Sequence, residues 1–342
     1  MFPVSPVDDV RDKPVFHSIH SMSLPSKILN ELSKVEPGAE FSGRLGGRIR
    51  SSSKSYFVKL GSAQEAEQYT GEADSLKAIN AGAPGLAPKV FASGVFEDDR
   101  PFFISEYKDM SRLTDTGAIK LANRLSTELH TYESQDGFGF NVPTYCGATR
   151  MKNGWYGSWE ECYSEMIGDL LMKLRKTGRY QELCAKGESI RNEYVLVQSS
   201  AYKQRSDQIV CSSLRVIPWL LGPLQIRPVL LHGDLWSGNV GVDSTTGEPV
   251  IFDPSAFFGH NEADLAIARI FGGFPRSFFA EYHKHLPKTK PESQYELRGH
   301  LYELFHYLNH TVLFGGGYEA SATRKMDILI ESMDSSAQAH DA

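Results

Sequence analysis

One segment in the second half of the chain limits its fold more than any other feature. Residues 232–239 read His-Gly-Asp-Leu-Trp-Ser-Gly-Asn, and an apolar stretch further along ends in Asp253. Asp234 and Asn239 are five residues apart, and Asp253 comes 19 residues after Asp234. A lone His-Gly-Asp turn is a weak signal, because such a turn can cap any loop. The complete pattern, with a carboxylate at the end of a strand, is far more specific and predicts that these side chains meet at one edge of a cleft.

The three polar residues of this pattern suit phosphoryl transfer. In that reaction the protein mainly supplies position and counter-charge, because negative charge spreads over the phosphoryl oxygens. Asn239 and Asp253 offer the oxygen ligands that Mg²⁺ takes in proteins. Asp234 can orient an attacking hydroxyl and accept its proton. The same Asp–Asn spacing, followed by a metal-binding Asp, occurs in the catalytic loop of kinases, so the segment predicts an ATP- and Mg²⁺-dependent kinase.

The first 107 residues show the elements of a small α+β lobe. Glycines followed by the apolar residues 56–60 predict a β-hairpin. A helix is expected next, since Ser62 and Glu65 form a capping-box pattern, and two more strands follow over 90–107. Beyond residue 114 the apolar spacing becomes helical, except for short strands around the catalytic-loop segment. We therefore predict an α+β, protein-kinase-like bilobal fold with a small β-rich N-lobe and a larger helical C-lobe.

A metal-bound triphosphate also needs a cation from the N-lobe. Lys59 closes a strand pattern just after the glycine-rich turn, where kinases place their phosphate-binding lysine. Its expected partner on the following helix is Glu72, with Glu65 as the second candidate. Taken alone, Lys59 reads as a solvated lysine at a sheet edge, and the catalytic-loop pattern is what favours a functional role.

Two further segments are expected to hold the nucleotide. Gly46 and Gly47 lie at the tip of the first hairpin and are expected to cover the phosphates through backbone N–H groups. An ordinary hairpin turn has the same sequence pattern. Glu106 and Tyr107 stand between the last N-lobe strand and the helical lobe, where a kinase hinge offers backbone groups to adenine.

The chain divides into four predicted segments. Residues 1–25 are expected to be a poorly ordered N-terminus, and residues 26–107 form the nucleotide-binding N-lobe. Residues 108–333 form the C-lobe with the catalytic loop and the metal site. Residues 334–342 are expected to be a disordered tail.

The composition argues against several function classes. The net charge of −6 gives no general reason to expect nucleic-acid binding. No window approaches the roughly 18 apolar residues of a membrane span. The first residues lack a basic start followed by an apolar run, so we expect no secretory signal and a cytoplasmic protein. The four cysteines lack metal-ligand spacing and are expected to be reduced thiols.

At residues 232–239 the sequence resembles the fructosamine-3-kinase family, also called ketosamine-3-kinases or protein-ribulosamine 3-kinases. The family pattern H-G-D-L-W-S-G-N is complete here, and the resemblance runs from about residue 40 to about residue 330. Trp236 and the run Phe-Gly-Gly-Phe-Pro-Arg-Ser-Phe-Phe at 271–279 are not general kinase features. Other similar stretches are 57–59, 71–73, 252–254, 259–260 and 304–310.

The resemblance implies an activity, cofactors and partners. Such enzymes use ATP and Mg²⁺ to phosphorylate the 3-hydroxyl of ketosamines, which are sugar adducts on amines, including lysines of glycated proteins. The 3-phosphate is unstable, because enolisation toward the amine-bearing carbon makes the phosphate an allylic leaving group. The adduct then falls apart and the free amine returns, so the reaction serves deglycation and protein repair. Ribulosamine is the expected preference over fructosamine, because activity on it is the broader family trait.

The resemblance also implies roles for individual residues. Asp234 is the base, Asn239 and Asp253 bind the metal, and Lys59 holds the phosphates. Candidate substrate contacts are His232, Trp236 and His260. Trp236 can stack on a sugar face or simply pack in the interior. Asp264 is expected to accept backbone N–H bonds of the catalytic loop rather than to touch substrate.

Three alternatives compete with this interpretation. An ordinary protein kinase is disfavoured, because no D-F-G or A-P-E motif is present and only ten residues separate Asp253 from Asp264. Small-molecule kinases of the aminoglycoside or choline type share the same catalytic logic, and only the family-specific stretches argue against them. A nucleotide-binding pseudokinase is disfavoured because Lys59, Asp234 and Asn239 are all retained together with Asp253.

Overall fold

A five-stranded antiparallel sheet forms the N-lobe, in the order β1-β2-β3-β5-β4. Its strands are β1 (Ser42–Gly43), β2 (Arg48–Arg50), β3 (Ser55–Leu60), β4 (Val90–Val95) and β5 (Pro101–Glu106). Helix α1 (Ser26–Val35) buries Ile28 and Leu32 against the sheet residues Ile49, Tyr56 and Val58. The alternation of buried residues along β3 is what a half-buried strand requires. This computed structural model describes residues 24–191 and 216–341.

Helix α2 (Ala66–Gly82) covers the other face of the N-lobe sheet and leads into the cleft. It follows a capping box in which Glu65 accepts hydrogen bonds from the backbone and the side chain of Ser62. The helix continues through Gly71 without a break. A side chain at this position would collide with the backbone carbonyl of Pro143. Close approach to the C-lobe therefore explains a glycine inside this helix.

Eight helices make up most of the C-lobe that the structure describes. They are α3 (Asp115–Thr127), α4 (Trp159–Lys176), α5 (Gln181–Ile190), α6 (Val216–Leu221), α7 (Asn261–Ile270), α8 (Arg276–His285), α9 (Tyr295–Phe314) and α10 (Tyr318–Asp341). Helix α9 lies at the centre and packs against α4, α7 and α10. Its buried residues include Leu301, Leu304 and Leu308, so its apolar side chains join several helices into one core.

Three small antiparallel sheets lie in the described part of the C-lobe and carry the catalytic segment. The first joins β6 (Met110–Arg112), β10 (Val240–Asp243) and β11 (Pro249–Ile251), the second joins β9 (Val229–Leu231) to β12 (Phe257–Gly259), and the third joins β7 (Thr144–Cys146) to β8 (Thr149–Met151). Strand β6 pairs with β10 immediately after the chain leaves β5. The lobes are therefore connected through residues 107–109, close to the predicted division after residue 107.

The architecture confirms the predicted α+β bilobal class, with a β-rich N-lobe and a larger helical C-lobe. The prediction of a disordered tail over 334–342 is wrong for the residues described. Helix α10 extends to Asp341, anchored by Leu329 and Met333, which are buried. Ala and Gln in the last turns favour the helix. Most of the predicted N-terminal segment, residues 1–25, lies outside the described residues, but Leu24 of that segment packs in the N-lobe core. Cys211 also lies outside the described residues.

Candidate active site

A cavity of about 360 Å³ lies between the two lobes. Its size falls in the range of small-molecule and cofactor pockets, and its walls are mostly apolar with a few charged groups. Side chains of β3, α2 and β5 line it from the N-lobe, and the end of β11 closes it from the C-lobe. The lining residues are Phe57, Lys59, Glu72, Leu76, Pro88, Phe103, Ser105, Glu106, Tyr107, Lys108, Met110, Phe252 and Asp253.

Lys59 joins the two lobes inside this cavity. Its Nζ donates to both carboxylate oxygens of Glu72, at 2.7 and 2.8 Å, and to Oδ1 of Asp253 at 2.8 Å. Burial disfavours the charged lysine, but the carboxylates of Glu72 and Asp253 outweigh burial and raise the pKa of Lys59. The Glu65 carboxylate instead accepts the capping-box bonds of Ser62. Of the two predicted partners, the structure brings Glu72 to the lysine.

The two carboxylates beside Lys59 respond differently to their surroundings. Burial raises the pKa of Glu72 to about 7, and the nearby Lys59 only partly opposes that effect. Burial acts in the same direction on Asp253, but the attraction of Lys59 outweighs it and lowers the pKa of Asp253. The Asp253 side chain is 55% exposed, so its ionised carboxylate faces the open part of the cleft.

The segment that carries Asp253 is tied to the catalytic loop. Asp253 has a φ of +52°, a conformation that non-glycine residues rarely adopt. The N–H of Phe252 donates to the carbonyl of Asn239 at 3.0 Å, and the N–H of Ser255 donates to the carbonyl of His232 at 2.9 Å. These backbone bonds hold the strained residue in place and join the segment that carries Asp253 to the one that carries Asn239.

Asp234 and Asn239 form a direct pair within the catalytic loop. The amide Nδ2 of Asn239 donates to the backbone carbonyl of Asp234 at 3.0 Å and to its Oδ2 at 3.2 Å. Burial raises the pKa of Asp234 to about 6, although the Asn239 bond opposes this shift. Because the amide nitrogen of Asn239 faces Asp234, its carbonyl oxygen is left as an acceptor. That oxygen and the carboxylate of Asp253 are the hard donors that a magnesium ion needs.

The sharp turn at Gly233 depends on the glycine. Its φ is +80°, and a side chain at this position would collide with the carbonyl oxygen of Ser255. Asp264 stabilises the same turn, because its carboxylate accepts the N–H groups of His232 at 2.7 Å and Gly233 at 2.8 Å. The prediction that Asp264 holds the catalytic loop is thus confirmed. The segment 232–234 is fixed from both sides.

His130 is a buried support of this loop that sequence reasoning missed. Its Nε2 lies 3.2 Å from Oδ2 of Asp264, and its Nδ1 lies 2.6 Å from the hydroxyl of Tyr282. The Tyr282 hydroxyl accepts a bond from Asn261 at 2.9 Å and can give its own proton to Nδ1. Nε2 then carries the ring proton and donates it to Asp264. No motif or spacing in the sequence marks His130 as a part of the site.

The prediction of a substrate contact is wrong for two of the three candidate residues, His232 and His260, because their side chains lie in the interior. Both ring nitrogens of His232 form hydrogen bonds. Nδ1 accepts the N–H of Asp234 at 3.2 Å, and Nε2 donates to the carbonyl of Phe252 at 3.0 Å. His260 bonds the hydroxyls of Tyr302 and Thr289 at 2.7 and 2.8 Å. Burial lowers the pKa of both rings, that of His260 to about 4. They act as neutral structural groups.

Trp236, the third candidate, lies at the surface beside the catalytic loop and is 38% exposed. Its ring packs over Gly238, where a side chain would collide with the indole, and makes an edge contact with Phe271 at 6.3 Å. The indole therefore presents an open face two residues after Asp234. This position leaves it available to a ligand.

The predicted hinge lines the cavity between the lobes, but the predicted lid does not. The N–H of Gly46 donates to the carbonyl of Val58 and that of Gly47 to the carbonyl of Arg44, both at 3.2 Å. Both N–H groups are thus used within the N-lobe, and neither glycine lines the cavity. At the hinge, the N–H groups of Glu106 and Tyr107 likewise donate to backbone carbonyls, at 2.8 and 3.1 Å. Both hinge residues nevertheless line the cavity.

Fold and site together define the class: a phosphotransferase with a protein-kinase-like fold. The family model described as fructosamine kinase matches residues 42–332. The chain belongs to the fructosamine kinase family. Within the residues described, no helix is both long and apolar enough to cross a membrane.

Named relatives and solved structures agree with that assignment. Ketosamine-3-kinase of Mus musculus is 33% identical over 316 residues, which cover 83% of this chain and 93% of the relative. A chloroplastic protein-ribulosamine 3-kinase of Arabidopsis thaliana is 32% identical over 283 residues, covering 83% of this chain and 78% of the relative.

Two solved structures show the fold alone, because their sequences are too different to carry more. A fructosamine-3-kinase described as putative, from Thermobifida fusca, has a TM-score of 0.68 at 22% identity and covers 86% of this chain and 95% of its own. An aminoglycoside phosphotransferase in complex with AMP-PNP and hygromycin B has a TM-score of 0.54 at 15% identity, covering 90% and 99%.

Proposed function

We propose that this protein is an ATP-dependent kinase that phosphorylates the 3-hydroxyl of ketosamines. The observation that carries the proposal is the Asp234–Asn239 pair, set beside the Lys59–Asp253 ion pair in a chain of the fructosamine kinase family. The named relatives include a ketosamine-3-kinase and a protein-ribulosamine 3-kinase. Activity on a ribulose-derived adduct is our first expectation, with the fructose-derived adduct second.

The nucleotide is proposed to occupy the cavity between the lobes. Its adenine lies beside the hinge residues Glu106 and Tyr107, and its phosphates reach Lys59, which Glu72 holds in place. Lys59 now bonds Asp253 directly, so the arriving phosphates exchange one anionic partner of the lysine for another. The glycine-rich turn has to rearrange to contribute N–H groups, since those of Gly46 and Gly47 are occupied.

The side-chain oxygen Oδ1 of Asn239 and the carboxylate of Asp253 are the proposed magnesium ligands. Both are hard oxygen donors, and the hydrogen bond from the N–H of Phe252 to the backbone carbonyl of Asn239 keeps their segments together. Magnesium, when bound, neutralises charge on the phosphate oxygens. The ionised state of Asp253 suits this role, because Lys59 keeps its pKa low.

Asp234 is the proposed base. Its pKa of about 6 leaves it ionised at pH 7 to 8, yet more basic than an ordinary aspartate. Asn239 fixes the carboxylate through Oδ2. The carboxylate orients the sugar hydroxyl and takes its proton as the new P–O bond forms and the bond from the γ-phosphorus to the leaving ADP breaks. Trp236 offers an exposed indole face against which the sugar can stack.

We further propose that protein-bound adducts are among the substrates and that the enzyme works in a reducing compartment such as the cytoplasm. Cys146, Cys162 and Cys184 are buried and unpaired, which suits reduced thiols. Release of the amine after phosphorylation would make the reaction a repair of glycated protein.

A panel of acceptors tests the proposed function. Purified protein with Mg·ATP is offered ribulosyl-lysine, fructosyl-lysine, choline and hygromycin B, and ADP release is followed with each. We expect turnover with one or both lysine adducts at a kcat/KM at least about a hundredfold above that for choline or hygromycin B. Turnover with choline or hygromycin B alone would replace the ketosamine assignment by the other kinase type. ATP binding without turnover on any acceptor would favour a pseudokinase.

A further inference from the structure

Five aromatic side chains form a continuous row on the C-lobe, beginning beside the catalytic loop. The ring of Trp236 contacts Phe271 at 6.3 Å between centroids, and Phe271 contacts His310 at 4.9 Å. His310 in turn contacts Phe314 at 5.6 Å and Tyr318 at 5.0 Å. These five residues, which we call the aromatic row, run from the catalytic loop to the turn between α9 and α10.

Three of the five rings are exposed, and His310 and Tyr318 are half-buried. Trp236 and Phe271 are each 38% exposed, and Phe314, the last residue of α9, is 70% exposed. A contiguous exposed apolar surface next to a functional site is typical of a binding surface. Single exposed aromatic residues are common and need no explanation, whereas a chain of ring contacts that links three exposed residues and leads away from the active site does.

The scaffold under the row is held in defined positions. Gly273 has a φ of +86° and packs so closely on Ser237 that a side chain would collide with it. This contact fixes the loop after Phe271 against the catalytic loop. Gly315, with a φ of +65°, ends α9 directly after Phe314 and turns the chain into α10. The spacing between the rings is therefore set by backbone geometry.

The row is longer than a sugar. A single sugar ring covers about one aromatic face, and a sugar stacked on Trp236 leaves the rings of Phe271, His310 and Phe314 uncovered. A group attached to the sugar would extend over these outer rings. In a ketosamine, the group attached through the amine is the rest of the amine-bearing molecule.

The chemistry of the row suits an alkylammonium chain. His310 Nδ1 lies 2.8 Å from the carbonyl oxygen of His306, which can only accept, so the ring proton is on Nδ1 and Nε2 is an acceptor. Burial lowers the pKa of His310, so its ring is neutral at physiological pH. Aromatic faces beside a neutral imidazole attract a cation. The methylene stem of a lysine packs well on the same faces.

We propose that the aromatic row is the docking surface for the polypeptide that carries the sugar adduct. The modified lysine lies along the inner rings, with its amine near His310, and the residues flanking it pack against Phe314 and Tyr318. This inference rests on the proposed function and deepens it. What it adds to the proposed function is the surface that holds the peptide around the modified lysine.

The test compares two acceptors on two matched variants. One acceptor is the ribulose adduct of methylamine, which can reach only the inner end of the row. The other is a short peptide with one central ribulosyl-lysine. The variants are Phe314→Ala and, as the control, Met172→Ala, which truncates a 39% exposed apolar side chain on α4 outside the row. Circular dichroism and thermal melting establish that both variants are folded.

We expect the wild-type enzyme to have a lower KM for the peptide than for the methylamine adduct. In Phe314→Ala the ratio of the peptide KM to the methylamine-adduct KM rises at least about fivefold, as for loss of an interface anchor, whereas Met172→Ala keeps the wild-type ratio. An unchanged ratio in Phe314→Ala would refute the docking surface. Turnover of the methylamine adduct in the same experiment would still support the proposed function. Turnover of neither acceptor by the wild type refutes the proposed function itself. If Phe314→Ala instead converts a dimer to a monomer in sedimentation and leaves the ratio unchanged, the row is an interface between copies and the proposal is wrong.

Discussion

The ammonium of Lys59 lies 2.8 Å from Oδ1 of Asp253, a residue 194 positions later in the chain. This one contact joins the end of an N-lobe strand to the end of a C-lobe strand across the cleft. Glu72 holds the lysine from the opposite side, at 2.7 Å. The three residues thus fix the relative position of the lobes at the point where the phosphates are expected to bind.

Replacement of Lys59 by Met should reduce kcat/KM for ATP by about 10²- to 10³-fold, the usual effect of removing one charged stabiliser of a transition state. The matched control is Lys77→Met, which removes an exposed α2 lysine paired with Asp74 at 2.8 Å. Steady-state kinetics with saturating acceptor measures both. Equal kinetics in the two variants would show that Lys59 is only an interlobe ion pair.

Replacement of Asp234 by Asn should separate nucleotide binding from chemistry. We expect kcat to fall about 10²- to 10⁴-fold, because the general base is lost. The affinity for ATP should change little, since Asp234 is not among the residues that line the nucleotide cavity in the described structure. Single-turnover kinetics and a fluorescent-nucleotide titration measure the two quantities. A variant with near-normal kcat would remove Asp234 from the mechanism.

Gly233 of the catalytic loop should not tolerate a side chain. Gly233 and Gly85 have nearly the same backbone, with φ values of +80° and +79°, but only at Gly233 would a side chain meet another atom, the Ser255 carbonyl. Gly85→Ala should therefore cost about 1 kcal/mol for the left-handed conformation alone. Gly233→Ala should cost at least about 2 kcal/mol more, because the loop must also shift. Urea denaturation of both variants measures the difference, and equal losses would contradict the close packing.

Buried neutral histidine should make the fold sensitive to mild acid. The folded pKa of His260 is lowered to about 4 from an ordinary value near 6.5. Between these values the unfolded chain binds a proton that the folded chain does not, so stability falls as the pH decreases through this window. The slope from this group approaches about 1.4 kcal/mol per pH unit.

The His260→Gln variant isolates this contribution, because glutamine can still bond the hydroxyls of Tyr302 and Thr289. The free energy of unfolding is measured by urea denaturation at several pH values from 7 down to 4. We expect a shallower decline in the variant than in the wild type. Parallel curves would mean that His260 is not held neutral by the fold.

The sequence predicts those helices, strands and turns that are determined by residues close to one another in the chain. The capping box at Ser62 and Glu65, the helix that follows it and the strands β9 to β11 all arise from short-range sequence signals. The fixed spacing of Asp234 and Asn239 likewise requires them to share one loop. Glu72 was chosen over Glu65 as the lysine partner, and the structure brings Glu72 to Lys59 because Glu65 is used by the cap.

Features that depend on distant partners were not predictable in the same way. Strand β6 has three exposed residues and exists only through pairing with β10, and β12 exists through pairing with β9. His130 supports Asp264 from 134 positions earlier in the chain, so no spacing signals it. His260 was assigned to substrate because it follows the metal-binding segment, but the turn of the chain there directs its ring into the core.

The proposed reaction is tested most directly by locating the phosphate that the enzyme transfers. Ribulosyl-lysine and Mg·ATP are incubated with the wild-type protein, and the product is followed by ¹H and ³¹P NMR. We predict a phosphorus coupled to the proton on carbon 3 of the sugar, followed by the appearance of inorganic phosphate and free lysine, and no such signal with Asp234→Asn. Phosphate on another carbon, or ATP hydrolysis without any phosphorylated sugar, would contradict the assignment.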